Sequence, residues 1–238
     1  ALDADATERD LTINTGGTTG TILMSSVVGQ TNEFDVIAIT GNLDLDANIG
    51  ADNFGTKGAT SISVSGTSNL GANVTTSTTQ TYTGAVTLSG GANTTLTGST
   101  IQFGSTVAGG TEDLKVDGIM DLNGAMTAVA ILEVTGASDI GADISTTGIQ
   151  TYTGAVTLSG AARTLTATNN SAVLFSSTIN GTQDLTVATG GLTTFDGLVG
   201  NTAILGAIDI SGAGGLDLDA AIALANGTAG AASLDVNG

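Results

Sequence analysis

The sequence contains no cysteine, histidine, proline or tryptophan, and only 3% of its residues are aromatic. Without cysteine and histidine, disulfide bonds, thiolate chemistry, serine–histidine catalysis and most zinc sites are excluded. Without proline, every residue keeps the backbone N–H that hydrogen-bonded β-strands require. With so few aromatic side chains, any core has to be built from valine, isoleucine, leucine and alanine.

Basic residues are also scarce, since 4 of them stand against 22 acidic residues and the net charge is −18. The chain lacks the cations that neutralise phosphates, so we expect no nucleic-acid partner. No apolar run is long enough to span a bilayer, so we expect no membrane insertion. The basic residues are Arg9, Lys57, Lys115 and Arg163.

One stretch of the sequence occurs twice without a change. Residues 80–90 read QTYTGAVTLSG, and residues 150–160 repeat them letter for letter. Within this motif Tyr82, Val86 and Leu88 alternate with small, mostly hydroxylated residues, which is the period of a strand buried on one face. The chain is therefore read as a tandem array.

Shorter sequences also recur, and each combines aliphatic residues two apart with a following glycine or acidic residue. The step from Asp10 to Leu43 nearly equals the step from Asp184 to Leu216, so these regions match as units. The families lie at residues 10–17, 113–118 and 184–191; at 43–49 and 216–222; and at 64–74 and 134–144.

These repeats predict a single array over residues 1–238, with units at approximately 10–79, 80–149 and 150–238. The first residues, ALDAD, contain neither an initiator methionine nor the basic and hydrophobic regions of a signal peptide. We therefore expect the chain to be a mature product or, in preference, a segment of a longer protein.

Alternation and repetition together favour a β-solenoid. Each strand offers two or three aliphatic side chains, worth about 1.5–3 kcal/mol apiece when buried. Ordering one coil of roughly 20 residues costs on the order of 30 kcal/mol, so a coil is stable only when it stacks on others. We predict an all-β, parallel β-helix built of such coils. The alternative is a string of small β-sandwich modules, which would call for more aromatic core residues and for proline-marked linkers.

The order of these segments resembles filamentous-haemagglutinin-type repeats of bacterial surface adhesins exported by the two-partner or autotransporter routes. The resemblance rests on QTYTGAVTL at 80 and 150, then TLT at 95 and 164, then Phe103 or Phe175, then an Asp-Leu-x-Val sequence. It covers most of residues 10–238. It implies a right-handed parallel β-helix on an extracellular stalk. The family's secretion domain carries an Asn-Pro-Asn element, which a chain without proline does not contain.

Candidate chemistry is sparse, and we assign no catalytic, cofactor-binding or metal-binding residue. The best-placed carboxylate pairs are Asp44 with Asp46 and Asp217 with Asp219, but each pair is expected on the solvated face of a strand. The run from Asp44 to Asp52 supplies hard oxygen ligands and makes a calcium site a weak hypothesis. Threonine pairs suggest an ice-binding surface only if they stack in one column, so we expect ordinary solvent-facing threonine instead. These pairs are Thr81/Thr83, Thr95/Thr97, Thr151/Thr153 and Thr164/Thr166, and the weak glycosylation candidates are Asn73, Asn93, Asn169, Asn180 and Asn226.

The function expected from the sequence is structural and adhesive: a rigid, acidic, extracellular β-solenoid stalk or fibre at a bacterial cell surface, without catalysis. Its expected partners are further copies of the chain stacked end to end and a carbohydrate or protein receptor. One alternative is a self-assembling subunit of an extracellular filament or sheath. A second alternative, from another functional class, is a carbohydrate-active β-helix enzyme.

Overall fold

A computed structural model describes residues 1–5, 7, 9–17, 19–50, 58–91, 93–222 and 233–237. Throughout these residues the protein is all-β and contains no helix. The strands are β1 (Leu11–Asn14), β2 (Thr21–Met24), β3 (Phe34–Thr40), β4 (Asn42–Leu45), β5 (Ala59–Val64), β6 (Ser68–Leu70), β7 (Val74–Thr75), β8 (Thr79–Tyr82), β9 (Val86–Leu88), β10 (Asn93–Phe103), β11 (Val107–Ala108), β12 (Asp113–Leu122), β13 (Met126–Val129), β14 (Leu132–Val134), β15 (Ser138–Ile140), β16 (Ile144–Thr146), β17 (Gln150–Tyr152), β18 (Val156–Leu158), β19 (Arg163–Ala167), β20 (Val173–Phe175), β21 (Ile179–Asn180), β22 (Leu185–Thr189), β23 (Thr193–Phe195), β24 (Ile208–Ser211), β25 (Leu216–Leu218) and β26 (Leu234–Asn237).

Each strand pairs in parallel with the strand one turn away, and the turns average roughly 21 residues. This stacking confirms the predicted β-solenoid and its coil size. It excludes the sandwich alternative for the described residues, because β-sandwiches are built from antiparallel sheets.

The strand register resolves three parallel ladders, which we call faces 1, 2 and 3 in the order in which the chain enters them. Two long strands, β10 and β12, each bend and take part in both face 3 and face 1. In β10 the bend falls between Thr97 and Thr100, where the register shifts.

The strands of each face stack in chain order. Face 1 is β1, β3, β5, β8, the second halves of β10 and β12, β15, β18 and β21; face 2 is β2, β4, β6, β9, β11, β13, β16, β19, β22, β24 and β26; face 3 is β7, the first halves of β10 and β12, β14, β17, β20, β23 and β25. Single bridges through Leu2, Val28 and Ile49 extend face 3 toward the amino-terminal end.

The core fills the space between the three faces. In the interior turns the residues on the inward side of the strands are mostly buried aliphatics, as in β5, where Ile62 and Val64 have 1% and 0% exposure. Their strand neighbours in the stack, such as Ile37 and Ile39 of β3, are buried in the same columns. The inward positions predicted for Tyr82, Val86 and Leu88 are confirmed.

Glycines stack where the chain turns from face 3 to face 1. A Cβ atom added to Gly154 would meet the backbone of Gly136, and one added to Gly136 would meet the backbone of Gly118. No side chain fits between backbones that approach so closely, so this corner needs glycine in successive turns. The same relation holds for Gly84 over Gly66 at the corner between faces 1 and 2.

Equivalent sequence segments occupy different faces. Residues 80–82 pair in face 1, whereas their identical copy at residues 150–152 pairs in face 3. The LDL sequence at 43–45 lies in face 2, and its copy at 216–218 lies in face 3. The repeats are real, but they are not a whole number of turns apart.

Candidate functional surfaces

The glutamine and the tyrosine of the repeated motif point into the core of the solenoid. Gln80 and Tyr82 are fully buried, and the Tyr82 hydroxyl donates to Gln80 Oε1 at 3.0 Å. Gln80 Nε2 donates to the carbonyl oxygens of Val74 at 3.0 Å and of Thr97 at 2.8 Å. This side chain therefore supplies hydrogen bonds to the corner of its own turn and of the next, and its role is structural.

The second copy makes the same kind of contacts. The Tyr152 hydroxyl donates to Gln150 Oε1 at 2.9 Å, and Gln150 Nε2 donates to Thr166 O at 2.8 Å. Burial raises the pKa of Tyr82 and of Tyr152 well above the usual value for a phenol. The inward position of these glutamines was missed from the sequence, although each falls at the same alternating position as the following tyrosine.

Aromatic rings stack along the axis beside these tyrosines. Tyr82 stacks on Phe103 with ring centroids 5.9 Å apart. Tyr152 stacks on Phe175 at 5.1 Å, and Phe175 contacts Phe195 at 5.4 Å. Five of the aromatic residues that the structure describes therefore form a three-ring column in the core of face 3 and a separate pair in face 1.

The structure does not bring the two predicted carboxylate pairs together. Asp44 is half-buried on face 2, where Asn69 Nδ2 donates to its Oδ1 at 2.8 Å, and Asp46 is exposed at the following turn. Asp217 and Asp219 are exposed at face 3. The pairs thus lie on different faces, and the hypothesis of a two-carboxylate hydrolase gains no shared site.

The structure describes only part of the candidate calcium-binding run from Asp44 to Asp52, because Asp52 lies outside the described residues. Among the residues that the structure describes, no group of three or more acidic side chains is arranged to hold a metal ion. One oxygen of this run already has a partner within the protein, since Asn48 Oδ1 accepts a hydrogen bond from the Asn73 backbone N–H at 2.9 Å. Calcium binding stays a hypothesis.

The threonine pairs are spread over all three faces and do not form one column. Thr81 lies on face 1, Thr164 on face 2, and Thr95 and Thr151 on face 3. On face 3 the stack runs from Thr95 through Lys115 and Glu133 before it reaches Thr151, so charged residues interrupt it. This arrangement is that of ordinary solvent-facing threonine.

The glycosylation candidates differ in how far their side chains are engaged. Asn73 Oδ1 accepts the Thr95 backbone N–H at 2.8 Å, and Asn180 Oδ1 accepts that of Thr202 at 2.9 Å. Asn169 Nδ2 donates to the Thr147 carbonyl, whereas Asn93 is exposed. The remaining candidate, Asn226, lies outside the described residues.

Each described basic residue lies within ion-pair distance of a carboxylate. Lys115 Nζ and Glu133 Oε1 are 2.8 Å apart on neighbouring strands of face 3, which raises the pKa of Lys115. Arg9 pairs with Asp5 at 2.8 Å, and its hydrogen bonds hold the pKa of that carboxyl below its usual value. Arg163 lies 3.8 Å from Asp143. Lys57 is outside the described residues.

Two aspartates stack directly on face 1. Asp121 and Asp139 are register partners on adjacent strands, a placement that repels like charges. Neutral donors surround them: Gln102 Nε2 reaches Asp121 at 2.8 Å, and Ser159 Oγ reaches Asp139 at 2.5 Å. These two aspartates form an acidic pair that neutral neighbours stabilise through hydrogen bonds.

Comparison of the chain with protein-family models, with curated proteins and with solved structures gives no match. The structure is consistent with β-helix repeat proteins. The adhesin type therefore remains a proposal. In the part of the chain that the structure describes, no helix is long and apolar enough to cross a membrane.

Proposed function

We propose that this protein is a structural and adhesive β-solenoid stalk of a bacterial surface protein, located outside the cell and without catalysis. The observation that supports the proposal most is the backbone hydrogen bonding that joins each described turn to the next in all three ladders. At the corner between faces 1 and 2, for example, the N–H groups of Leu43, Ser68 and Val86 donate to carbonyl oxygens of the next turn at 2.8–2.9 Å.

This bonding makes a stiff spacer. Each interior turn forms backbone hydrogen bonds with the turn before it and the turn after it. Bending the rod in any direction would stretch or break the hydrogen bonds of at least one of the three ladders. Face 2 contains 11 stacked strands, so at about 4.8 Å per step the rod is about 50 Å long. A stalk requires that kind of length and rigidity.

Surface display tests the proposal. The chain is placed between an outer-membrane anchor and an epitope tag, and the height of the tag above the membrane is measured by fluorescence interferometry. The expected result is an increase of about 50 Å over the anchor alone. A variant with Tyr152→Asp, which buries a charge in the core, serves as the unfolded control. No increase in height for the intact chain would contradict the proposal.

A second candidate is a filament subunit that stacks end to end, and the terminal turns favour it. Leu218, Leu234 and Val236 are 42%, 37% and 43% exposed. Their register partners one turn inward, Phe195 and Ile208 among them, are buried. A further turn stacked on β25 and β26, whether from a second copy or from the same polypeptide, would cover these side chains and pair their strand edges.

Sedimentation velocity and negative-stain images test end-to-end stacking. The expected result is concentration-dependent filaments that disappear in the variant Leu218→Asp/Val236→Asp. The matched control is Thr194→Asp, which adds a charge on the outer side of the neighbouring turn of face 3. A chain that stays monomeric at all concentrations would rule out this candidate and leave the stalk proposal standing.

A further inference from the structure

A recess lies on the outer side of face 3 near the amino-terminal end. It is lined by Asn48, Asn73, Thr75, Thr95 and Thr97, and it continues over the adjoining turns. The connection from Leu70 to Val74 is half as long as the one from Leu88 to Leu96. The two connections nevertheless start and end at matching positions, because Leu70 is the register partner of Leu88 and Val74 is the register partner of Leu96. Residues of both connections line the recess, Asn73 from the shorter one and Gly90 and Asn93 from the longer one.

The recess is built with fixed polar groups. Asn48 Oδ1 accepts the Asn73 backbone N–H at 2.9 Å, and Asn73 Oδ1 accepts the Thr95 backbone N–H at 2.8 Å. These bonds hold the Asn73 carboxamide by its oxygen and leave its Nδ2 without a partner among the described residues. The carboxamide is therefore oriented before any ligand arrives.

Hydroxyl groups add further donors and acceptors. Thr75 and Thr97 are register partners on face 3, both half-buried, and neither hydroxyl bonds to a described residue. Each can donate one hydrogen bond and accept others. Together with Asn73 they present the neutral groups that recognise sugar hydroxyls.

The charge of the surroundings selects against anionic ligands. The five polar residues that line this part of the recess are uncharged, and among the described residues the nearest cation on the same face, Lys115, is bound to Glu133. The chain as a whole carries a charge of −18. A uronate or sulfated chain would be repelled, whereas a neutral one would not.

The spacing of the groups selects for an extended chain. Register partners on adjacent parallel strands lie about 4.8 Å apart, which is close to the length of one sugar residue in a β-1,4-linked chain. We propose that this recess binds a neutral, extended β-1,4-linked glycan, with Thr75 and Thr97 contacting successive sugar residues. This goes beyond the stalk proposal, because it assigns a ligand to a named surface.

Titration of the whole chain with β-1,4-linked mannohexaose and with cellohexaose, followed by calorimetry and 1H–15N NMR, tests the inference. We expect saturable binding of at least one of them, with shifts concentrated at Asn73, Thr75 and Thr97. The β-1,4-linked hexamer of mannuronate, which has a C6 carboxylate in place of each C6 hydroxymethyl group of the mannan chain, should bind at least about tenfold more weakly.

The variant Thr75→Val/Thr97→Val removes both hydroxyls and keeps the branched shape that strands favour. We expect at least about tenfold weaker binding, since two hydrogen bonds are lost, while the matched variant Thr151→Val/Thr194→Val farther along face 3 binds as the parent does. Absence of binding to both neutral hexamers, equal binding by the double variant, or equal binding of mannuronate would overturn the inference. None of these results would change the rod length, so the stalk proposal is tested separately.

Discussion

The two identical copies of QTYTGAVTLSG provide the clearest comparison within this molecule. Residues 80–82 lie in face 1, and residues 150–152 lie in face 3. In both copies the glutamine side chain donates a hydrogen bond of 2.8 Å to a carbonyl oxygen of the next turn. The acceptor is Thr97 O for Gln80 and Thr166 O for Gln150. The same sequence thus builds the same local structure in two different ladders.

The comparison teaches that these segments specify a strand followed by a corner, and do not specify a face. The glycine of each copy lies over the glycine of the preceding turn, Gly84 over Gly66 and Gly154 over Gly136. Each copy therefore meets the same neighbours, because the preceding turns are themselves copies at the same shift. Faces 1 and 3 therefore offer equivalent environments to a strand of this type.

The copies differ in what lies on the far side of the tyrosine. Tyr82 stacks on one ring, Phe103, whereas Tyr152 begins a stack that continues through Phe175 to Phe195. The following turns, which are not identical in sequence, add this difference. We therefore expect equal effects where the contacts are equal and unequal effects at the rings.

Removal of one complete turn is the strongest way to break the comparison. Leu132 and Gln150 are register partners, so residues 132–149 make up one turn, and their deletion returns every later strand to its own face. We expect this variant to fold with an unchanged circular dichroism spectrum per residue. Deletion of Thr157 alone, from the middle of strand β18, should unfold or aggregate, because a slip of one residue inside a strand turns inward side chains outward. Equal stability of the two deletions would contradict the account.

The aromatic stacks should give the next largest effect. Tyr152→Ala removes a fully buried ring from a three-ring stack and should cost about 4 kcal/mol of unfolding free energy, against about 3 kcal/mol for Tyr82→Ala. Urea denaturation monitored by circular dichroism, together with hydrogen exchange around each site, measures both. A larger loss at Tyr82 would show that stack length does not matter.

The buried glutamines sharpen the comparison, because their contacts are nearly equal. Gln80→Ala and Gln150→Ala each remove the acceptor of a buried tyrosine hydroxyl and two hydrogen bonds that the glutamine donates, and each should cost about 1–3 kcal/mol. The outward neighbours provide the control, since Thr81→Ala and Thr151→Ala should change stability by less than about 0.5 kcal/mol. Glutamine variants that behave like the threonine variants would show that the internal bonds contribute nothing.

Alkaline pH gives the smallest and most selective test. Burial raises the pKa of both tyrosines in the folded state. Their contribution to stability is therefore complete below about pH 10, the unfolded value, and decreases as the pH rises above it. Each tyrosine should lower the unfolding free energy by about 1.4 kcal/mol per pH unit in that range. Absorbance at 295 nm reports ionisation directly, because the chain has only 2 tyrosines and no tryptophan.

The variants Tyr82→Phe and Tyr152→Phe should each remove about half of that alkaline slope. Lys115 is present in all three proteins, so its titration cancels in the comparison. Phenol ionisation at pH 10 in the folded protein, before loss of the β-sheet signal, would show that the rings are accessible.

Much of the fold was predictable from the sequence because alternation at Tyr82, Val86 and Leu88 states which side chains face inward. The face of each strand was not predictable, because connections of different length, such as those before Val74 and Leu96, are accommodated at the corners without changing the register. The buried position of Gln80 was missed because a polar side chain is expected to face solvent unless its buried hydrogen-bond partners are known. The recess around Asn73 could not be predicted, since it depends on connections in neighbouring turns.

The central claim, that identical segments occupy different faces, is tested most directly by distances between spin labels on this cysteine-free chain. Thr81 and Thr157 both lie on face 1, four strands apart, so labels on Thr81→Cys/Thr157→Cys should be about 20 Å apart. Labels on Thr81→Cys/Thr151→Cys, which pairs the two sequence-equivalent positions, should be clearly farther apart because the side chains leave different faces. The account predicts the shorter distance for Thr81 with Thr157, and the shorter distance for Thr81 with Thr151 would contradict it.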